Sequence, residues 1–369
     1  MGKKNKVLVI SFDGISDSEF ENMAEDTQTY PNVARFMKES SYTKNVSSIF
    51  MSNTYPIHTS IATGKLPKDH GIISNYLLDN ANSEYQWAQM SKYIKTKTIW
   101  DAAREKGLKT AAILWPVTGG AKINYNLPEI HLTKGQNRVL KQLQYGSKLF
   151  QINALLKYRH KLKGIKQPYL DDFATDVASD VLRGKKADLT LVHLIAYDDI
   201  RHRVGGASSE LNIAKSAIDE NLGKLLDITG EDITVIVFSD HAHIDVKEVV
   251  NLNKIFGKDV FEQCGGSAFF AKKIENLEEY PWFGRNLTEN EMIESGYATK
   301  VDLGIAAKIG YCFAESGAYK SNHGYPTDYD NYKVFYAIRG KDFVPTVKNG
   351  GNVRDITAII NGELGLIYS

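Results

Sequence analysis

Apolar residues gather along this chain in short unbroken runs: KVLVISF at 6–12, KTAAILW at 109–115, LTLVHLIAY at 189–197, ITVIVFS at 233–239 and KVFYAIR at 333–339. A strand with one wet face alternates polar and apolar positions, so continuous runs of this length predict strands covered on both faces. Between them, TIWDAAREKG at 98–107 and SELNIAKSAIDENLGKLLDI at 209–228 repeat apolar residues every three or four positions, the period of an amphipathic helix. Strands alternating with helices predict an α/β fold, a three-layer α/β/α sandwich around a mostly parallel sheet. Ligands of such sheets collect beyond the carboxyl ends of the strands. Three runs end at or near an acid: Asp13, Asp198 and Asp240.

Composition narrows the partners. The 369 residues carry 45 Lys and Arg against 44 Asp and Glu, a net charge of +1, so the whole molecule has no field that would hold nucleic acid stably or draw it to an anionic membrane. The expectation is one catalytic domain over 1–369, carrying an inserted basic helical segment at 134–170 and a smaller Glu- and Asn-rich insertion at 275–300. No apolar run reaches the roughly 18 residues of a membrane span. MGKKNK mimics the start of a secretory signal, but Asp13 cuts the following apolar run short. Two cysteines, Cys264 and Cys312, far apart and without metal-type spacing, fit a reducing compartment, and the cytoplasm is the expected location.

The histidines separate by their neighbours. His202 follows Asp198 by four residues, a spacing that brings both side chains to one side of a helical turn. SDHAH at 239–243 adds Asp240, His241 and His243 directly after a buried run, and SNHGYP at 321–326 places His323 on a turn punctuated by Gly324 and Pro326. Singly, each has an ordinary structural explanation. Together the acids and imidazoles supply enough oxygen and nitrogen ligands for two zinc-like ions, each with a position open to substrate.

SNTYPIHTSIATG at 52–64 reads as the entry to a short helix, with Pro56 suited to the first helical position and Gly64 to the exit. Thr54 falls at or just before the helix start, where unpaired amides favour an anion. A threonine hydroxyl stays protonated near pH 7, so it becomes a nucleophile only beside a base or on a cation.

These motifs in this order resemble the alkaline phosphatase superfamily, and within it the nucleotide pyrophosphatase/phosphodiesterase branch: FDG, Thr54 followed by aromatic-Pro-x-His, TG-x-x-P-x-x-HGI-x-x-N, D-x-x-x-H, DH after a strand, and a late HGY. The resemblance implies an alkaline-phosphatase-like fold and a metal-dependent hydrolase of phosphodiesters or nucleotide pyrophosphates. It implies Asp13, Thr54, Asp240 and His241 around one zinc, and Asp198, His202 and His323 around the other. Manganese or iron suits the same donors. It further implies Thr54 as a nucleophile that becomes a phospho-threonine, and Asn75 as a donor to a phosphate oxygen. Its partners would be small phosphorylated molecules such as a nucleotide or phosphodiester; the oligomeric state stays open.

Tyr55 stands where the family borders the leaving or nucleoside group, with core packing an equal reading. Three departures bear on substrate: Ile57 for a frequent asparagine, Arg201 for the glycine before His202, and Ala242 for the glycine of DHG. Arg201 and the additional His243 are candidates to enter the pocket and pair with a charged group. Other chemistries remain open on the same ligands: phosphonoacetate-type C–P cleavage, for which Lys122 is the candidate carboxylate partner, and monoester hydrolysis, for which Arg201 would grip the extra oxygens. The non-enzymatic alternative is a polyanion-binding protein working through the basic segment. His58 and His70 match family positions outside the metal set and are read as structural.

Overall fold

The computed structural model describes residues 6–78, 86–132 and 135–367. The extreme amino terminus and Lys134, the first residue of the basic segment, lie outside them. The core is an eight-stranded sheet of β1 (Lys6–Phe12), β2 (Ser41–Val46), β3 (Thr110–Ile113), β4 (Tyr125–Leu127), β5 (Leu189–Leu194), β6 (Ile233–Ser239), β7 (Val334–Arg339) and β8 (Thr346–Asn349), in the order β8-β2-β7-β6-β1-β5-β3-β4. All neighbouring pairs are parallel except those of β7, which runs against both β6 and β2.

The unbroken apolar runs are explained by what covers them. Val7 and Val9 of β1 pack into one apolar layer with Ile57, Ile61 and Trp115, while Leu8, Ile10 and Phe12 face the opposite layer with Val177, Ala214 and Leu222. Both faces of the strand are therefore dry. The run at 189–197 is shorter as a strand than its hydrophobicity suggests. Its end turns into the helix Ala196–Val204, whose start is held by Asp171 accepting from the Ile195 and Ala196 amides at 3.0 and 2.7 Å. Strands β2 and β8 have no such signal; β8 is exposed along its whole length.

Residues beyond the main sheet build its upper rim. The strands Val260–Cys264, Ser267–Phe270, Leu303–Ala307 and Phe283–Asn286 form a second, antiparallel sheet in that order, so segment 275–300 contributes a strand and the helix Glu289–Ser295. The basic segment forms the helices Arg138–Tyr145 and Lys148–Tyr158. No helix among the described residues is long and apolar enough to cross a membrane.

Candidate metal centre

Register brings the acids together. β1 lies between β5 and β6 with Phe12 opposite both Leu194 and Ser239, so the three strands end level. Asp13 and Asp240 follow directly, and Asp198 sits in the first turn of the helix after β5. Gly14 then turns the chain at φ +79°; a Cβ there would stand 2.8 Å from His243 Nε2 and 3.2 Å from Asp198 Cβ, so glycine is the residue that fits.

Around Asp13 four atoms converge. His241 Nε2 lies 3.2 Å from Asp13 Oδ1, 3.5 Å from Asp240 Oδ2 and 3.4 Å from Thr54 Oγ1. Ligands about 2.0–2.1 Å from a tetrahedral zinc stand about 3.3 Å apart, so these spacings match the edges of such a polyhedron. Asp13 Oδ1 and Asp240 Oδ2 are buried without a hydrogen-bond partner, as is His241 Nδ1. Leaving carboxylate oxygens dry and unpaired is costly unless a cation meets them. The electrostatics agree: burial and the Asp13 charge push Asp240 up to about 7, and although burial opposes it, Asp240 and Asp13 push His241 up to about 10. For Asp13, burial and Asp198 act upward, but the hydrogen bond from His193 and the neighbouring His241 imidazole outweigh them and hold it below the ordinary carboxylate range.

Asp198 anchors a second cluster. On its helix the four-residue spacing sets His202 Nε2 3.3 Å from Asp198 Oδ1, and His323 Nε2 lies 3.9 Å from the same oxygen. His323 arrives because Ser321–Asn322 pairs with Ile244–Asp245, which lays its ring on that of His241 at 4.0 Å. His202 Nδ1 lies 2.8 Å from the Ser321 carbonyl, and His323 Nδ1 lies 3.2 Å from the Ser52 carbonyl and 3.1 Å from Asn53 Oδ1. Donation from Nδ1 leaves each Nε2 with a lone pair facing Asp198, the arrangement of ligating imidazoles. Among the described residues three sets of ligand atoms mutually within 4.8 Å result: Asp13, Asp240 and His241; Asp198, His202 and His323; and Asp198, His241 and His243.

Thr54 begins the helix Thr54–Thr63, every residue of which is buried, and its Asn53 N-cap makes no side-chain capping bond. Pro56 is thus the third helical residue rather than the first. Asn75 Oδ1 accepts from the Tyr55 amide at 2.8 Å, which leaves its amino group for another acceptor. Thr54, Tyr55, Asn75, Asp13, Asp198 and His323 line one cleft of about 590 Å³. Tyr55 presents its ring to Trp87 at 5.4 Å, so it borders the cleft and packs into its wall.

Residues 7–293 match the type I phosphodiesterase / nucleotide pyrophosphatase family. The chain belongs to that family. It is 26% identical to human ectonucleotide pyrophosphatase/phosphodiesterase family member 1 over 239 residues, 62% of this chain but 23% of that protein. It is 23% identical to the bis(5'-adenosyl)-triphosphatase ENPP4 of Pongo abelii over 98% of this chain and 78% of that one. The chain thus spans about a quarter of the length of the first of these relatives. Among solved structures, an inactive variant of murine ectonucleotide pyrophosphatase/phosphodiesterase 5 in complex with AMP superposes with a TM-score of 0.69 at 19% identity, covering 99% of this chain and 96% of that one. The human form of that protein gives 0.71 at 18% identity, covering 99% and 96%. The alkaline-phosphatase-like fold follows from these likenesses.

Three residues considered for substrate contact lie elsewhere. Arg201 is turned away from the cleft and buried, its guanidinium engaging Glu19, Tyr197 Oη at 3.1 Å, Ser321 Oγ at 3.3 Å and Asp245 at 3.3 Å. A buried guanidinium needs acids such as these beside it. His243 is also buried, with Nε2 2.7 Å from Asp198 Oδ1 and Nδ1 3.0 Å from Ser321 Oγ, so it braces Asp198. Lys122 is exposed on a separate depression with Ser91, Thr98 and Asp101.

Other residues of the site carry no sequence signal of their own. His193, inside the apolar run of β5, reaches Asp13 Oδ2 at 3.1 Å. Trp87, Glu129 and His131 form one wall of the cleft, with the Trp87 and His131 rings stacked at 3.8 Å and His131 Nε2 3.0 Å from Glu129. His58 and His70 hold the helix from within: His58 bridges the Thr54 carbonyl at 2.8 Å and Ser11 Oγ at 2.9 Å, and His70 meets Ser60 Oγ at 2.9 Å.

Proposed function

We propose that the chain hydrolyses phosphodiesters or nucleotide pyrophosphates, with Thr54 as the nucleophile. The observation that carries this reading is the convergence of Thr54 Oγ1 with His241 Nε2, Asp13 Oδ1 and Asp240 Oδ2 at ligand-polyhedron spacings, beside the Asp198 cluster. Asp13, Asp240, His241 and Thr54 would hold one divalent cation, and Asp198, His202 and His323 the other, with zinc the ion such mixed donors favour and manganese or iron suited to the same set. Bound there, the cations would supply charge for the phosphate and for the attacking and leaving oxygens.

The chain's own groups account for the rest. Thr54 Oγ1 forms a bond to phosphorus as the bond to the ester oxygen breaks, and its hydroxyl proton passes to solvent. The leaving oxygen takes a proton from solvent and departs as the alcohol, and a phospho-Thr54 ester remains, which water hydrolyses to release a phosphate monoester and restore the hydroxyl. The Asn75 amino group donates to a non-bridging oxygen, oriented by the bond its Oδ1 accepts from the Tyr55 amide.

Charge in the cleft favours a diester over a monoester. Among the described residues lining it there is no lysine, and its one arginine, Arg203, is paired with Asp199 at 3.4 Å. A dianionic monoester would lack a free guanidinium for its additional oxygens. With Lys122 outside the cleft, the carboxylate of a phosphonoacetate would likewise lack its partner. The AMP bound by murine member 5 and the diadenosine activity in the name of ENPP4 support a nucleotide-like substrate.

Rates on bis(4-nitrophenyl) phosphate, 4-nitrophenyl phosphate and phosphonoacetate test the reading. The diester is expected to turn over fastest; a monoester hydrolysed far faster than the diester refutes the assignment. Deleting residues 134–166 of the basic segment tests the polyanion-binding alternative, since retained diester hydrolysis makes that segment accessory.

A further inference from the structure

Asn75 sits on a loop rather than on the main sheet, so its usefulness depends on what holds that loop. The helix side supplies one tie, the Tyr55 amide on Asn75 Oδ1, and the Ala88 amide supplies another by donating to the Asn75 carbonyl at 2.8 Å. A third comes from the second sheet. Glu262, on the strand Val260–Cys264 and 3% exposed, accepts from Ser74 Oγ at 2.5 Å through Oε1 and from the Tyr297 hydroxyl through Oε2. Ser74 Oγ in turn accepts from the Tyr76 amide at 3.2 Å. One carboxylate therefore clamps the hydroxyl immediately before Asn75, and that hydroxyl fixes the backbone immediately after it.

A carboxylate is an expensive clamp in this place. Among the described residues no lysine, arginine or histidine pairs with Glu262, and burial pushes it up to about 7 while its bonds from Ser74 and Tyr297 act in the opposite direction. A buried acid satisfied only by hydroxyls costs folding free energy that an apolar residue would not. It also lines the cleft that holds Thr54 and Asn75. We infer that Glu262 is a positioning residue for the reaction, holding the Ser74–Asn75 loop so that the Asn75 amino group meets the phosphate. The inference rests on the diesterase reading above and extends it by giving the second sheet a part in catalysis.

Two variants and two readouts test it. Glu262→Gln keeps the shape but removes one acceptor, and Ser74→Ala removes the link with little effect on packing, so a folding failure in one leaves the other informative. Amide hydrogen exchange at Tyr55 reports the Asn75 bond without any substrate, and it is expected to quicken at least about tenfold in both variants. On bis(4-nitrophenyl) phosphate, kcat is expected to fall about 10- to 100-fold with KM within about twofold. In an Asn75→Ala background the same changes should cost less than about twofold, because the residue they act through is gone. Losses that multiply in that background, or Tyr55 exchange at the wild-type rate, overturn the role. Failure of the wild-type protein to hydrolyse any diester sinks the parent reading instead, and the exchange measurement still decides whether Glu262 holds Asn75.

Discussion

Replacing Gly14 by alanine perturbs the site without substituting any proposed ligand. The new Cβ would stand 2.8 Å from His243 Nε2, 2.9 Å from His243 Cδ2 and 3.2 Å from Asp198 Cβ, on a residue at φ +79°. Holding an alanine in the left-handed region costs about 1–2 kcal/mol. Overpacking a closed site costs about 1–3 kcal/mol more, because His243 is buried between Asp198 and Ser321 and has nowhere to retreat. The sum, roughly 2–5 kcal/mol, lowers the melting temperature of a chain this long by about 3–6 °C at the usual unfolding entropy per residue. Pushing His243 outward also shifts Asp198, which the proposed second cation site would share with His202 and His323. Thermal unfolding and zinc titration by calorimetry measure the two effects separately. An alanine variant with wild-type melting and wild-type affinity for both metal equivalents would refute the claim that glycine is required by the crowding of Asp198 and His243.

Further outcomes follow from the same geometry. Thr54→Ala should lower kcat on a diester by at least about a thousandfold while circular dichroism stays native, since it removes the proposed attacking atom and leaves the helix buried. Asn75→Ala should cost roughly 3–4 kcal/mol of transition-state stabilisation, read from kcat/KM. Chelation should remove two equivalents of metal and lower the melting temperature, and zinc should restore both; a protein that binds none when titrated contradicts the site. His70 accepts the Ile72 amide at 3.1 Å through Nδ1, and burial pushes it down to about 3, below its unfolded value of about 6.5. Its contribution is therefore present above about pH 6.5 and is lost as the pH falls toward 3, where the unfolded chain binds the extra proton. His70→Gln should flatten the slope of unfolding free energy between about pH 4 and 6.5, measured by denaturant titration, and an unchanged slope would contradict the assignment.

Much of this protein is legible from the chain alone because its strands are buried on both faces, a state that only unbroken apolar runs satisfy. β1, β5, β6 and β7 announce themselves that way, and the acids that end three of the runs mark where chemistry collects. The spacing of Asp198 and His202 is likewise local, since one helical turn suffices to bring them together. Strands without such a run escape notice: β2, paired between β8 and β7, carries Lys44 and Asn45, and the edge strand β8 is exposed throughout. Direction and partnership also escape. Arg201 beside His202 could point into the cleft or away from it, and the choice belongs to Glu19 and Asp245, distant in sequence but adjacent in space. The same holds for His193 against Asp13 and for Glu262 against Ser74, 180 and 188 residues apart. Residue type and local period determine which groups can do chemistry here; only the closing of long loops by sheet register decides which of them meet, because a contact between distant residues is paid for by the packing of everything between them.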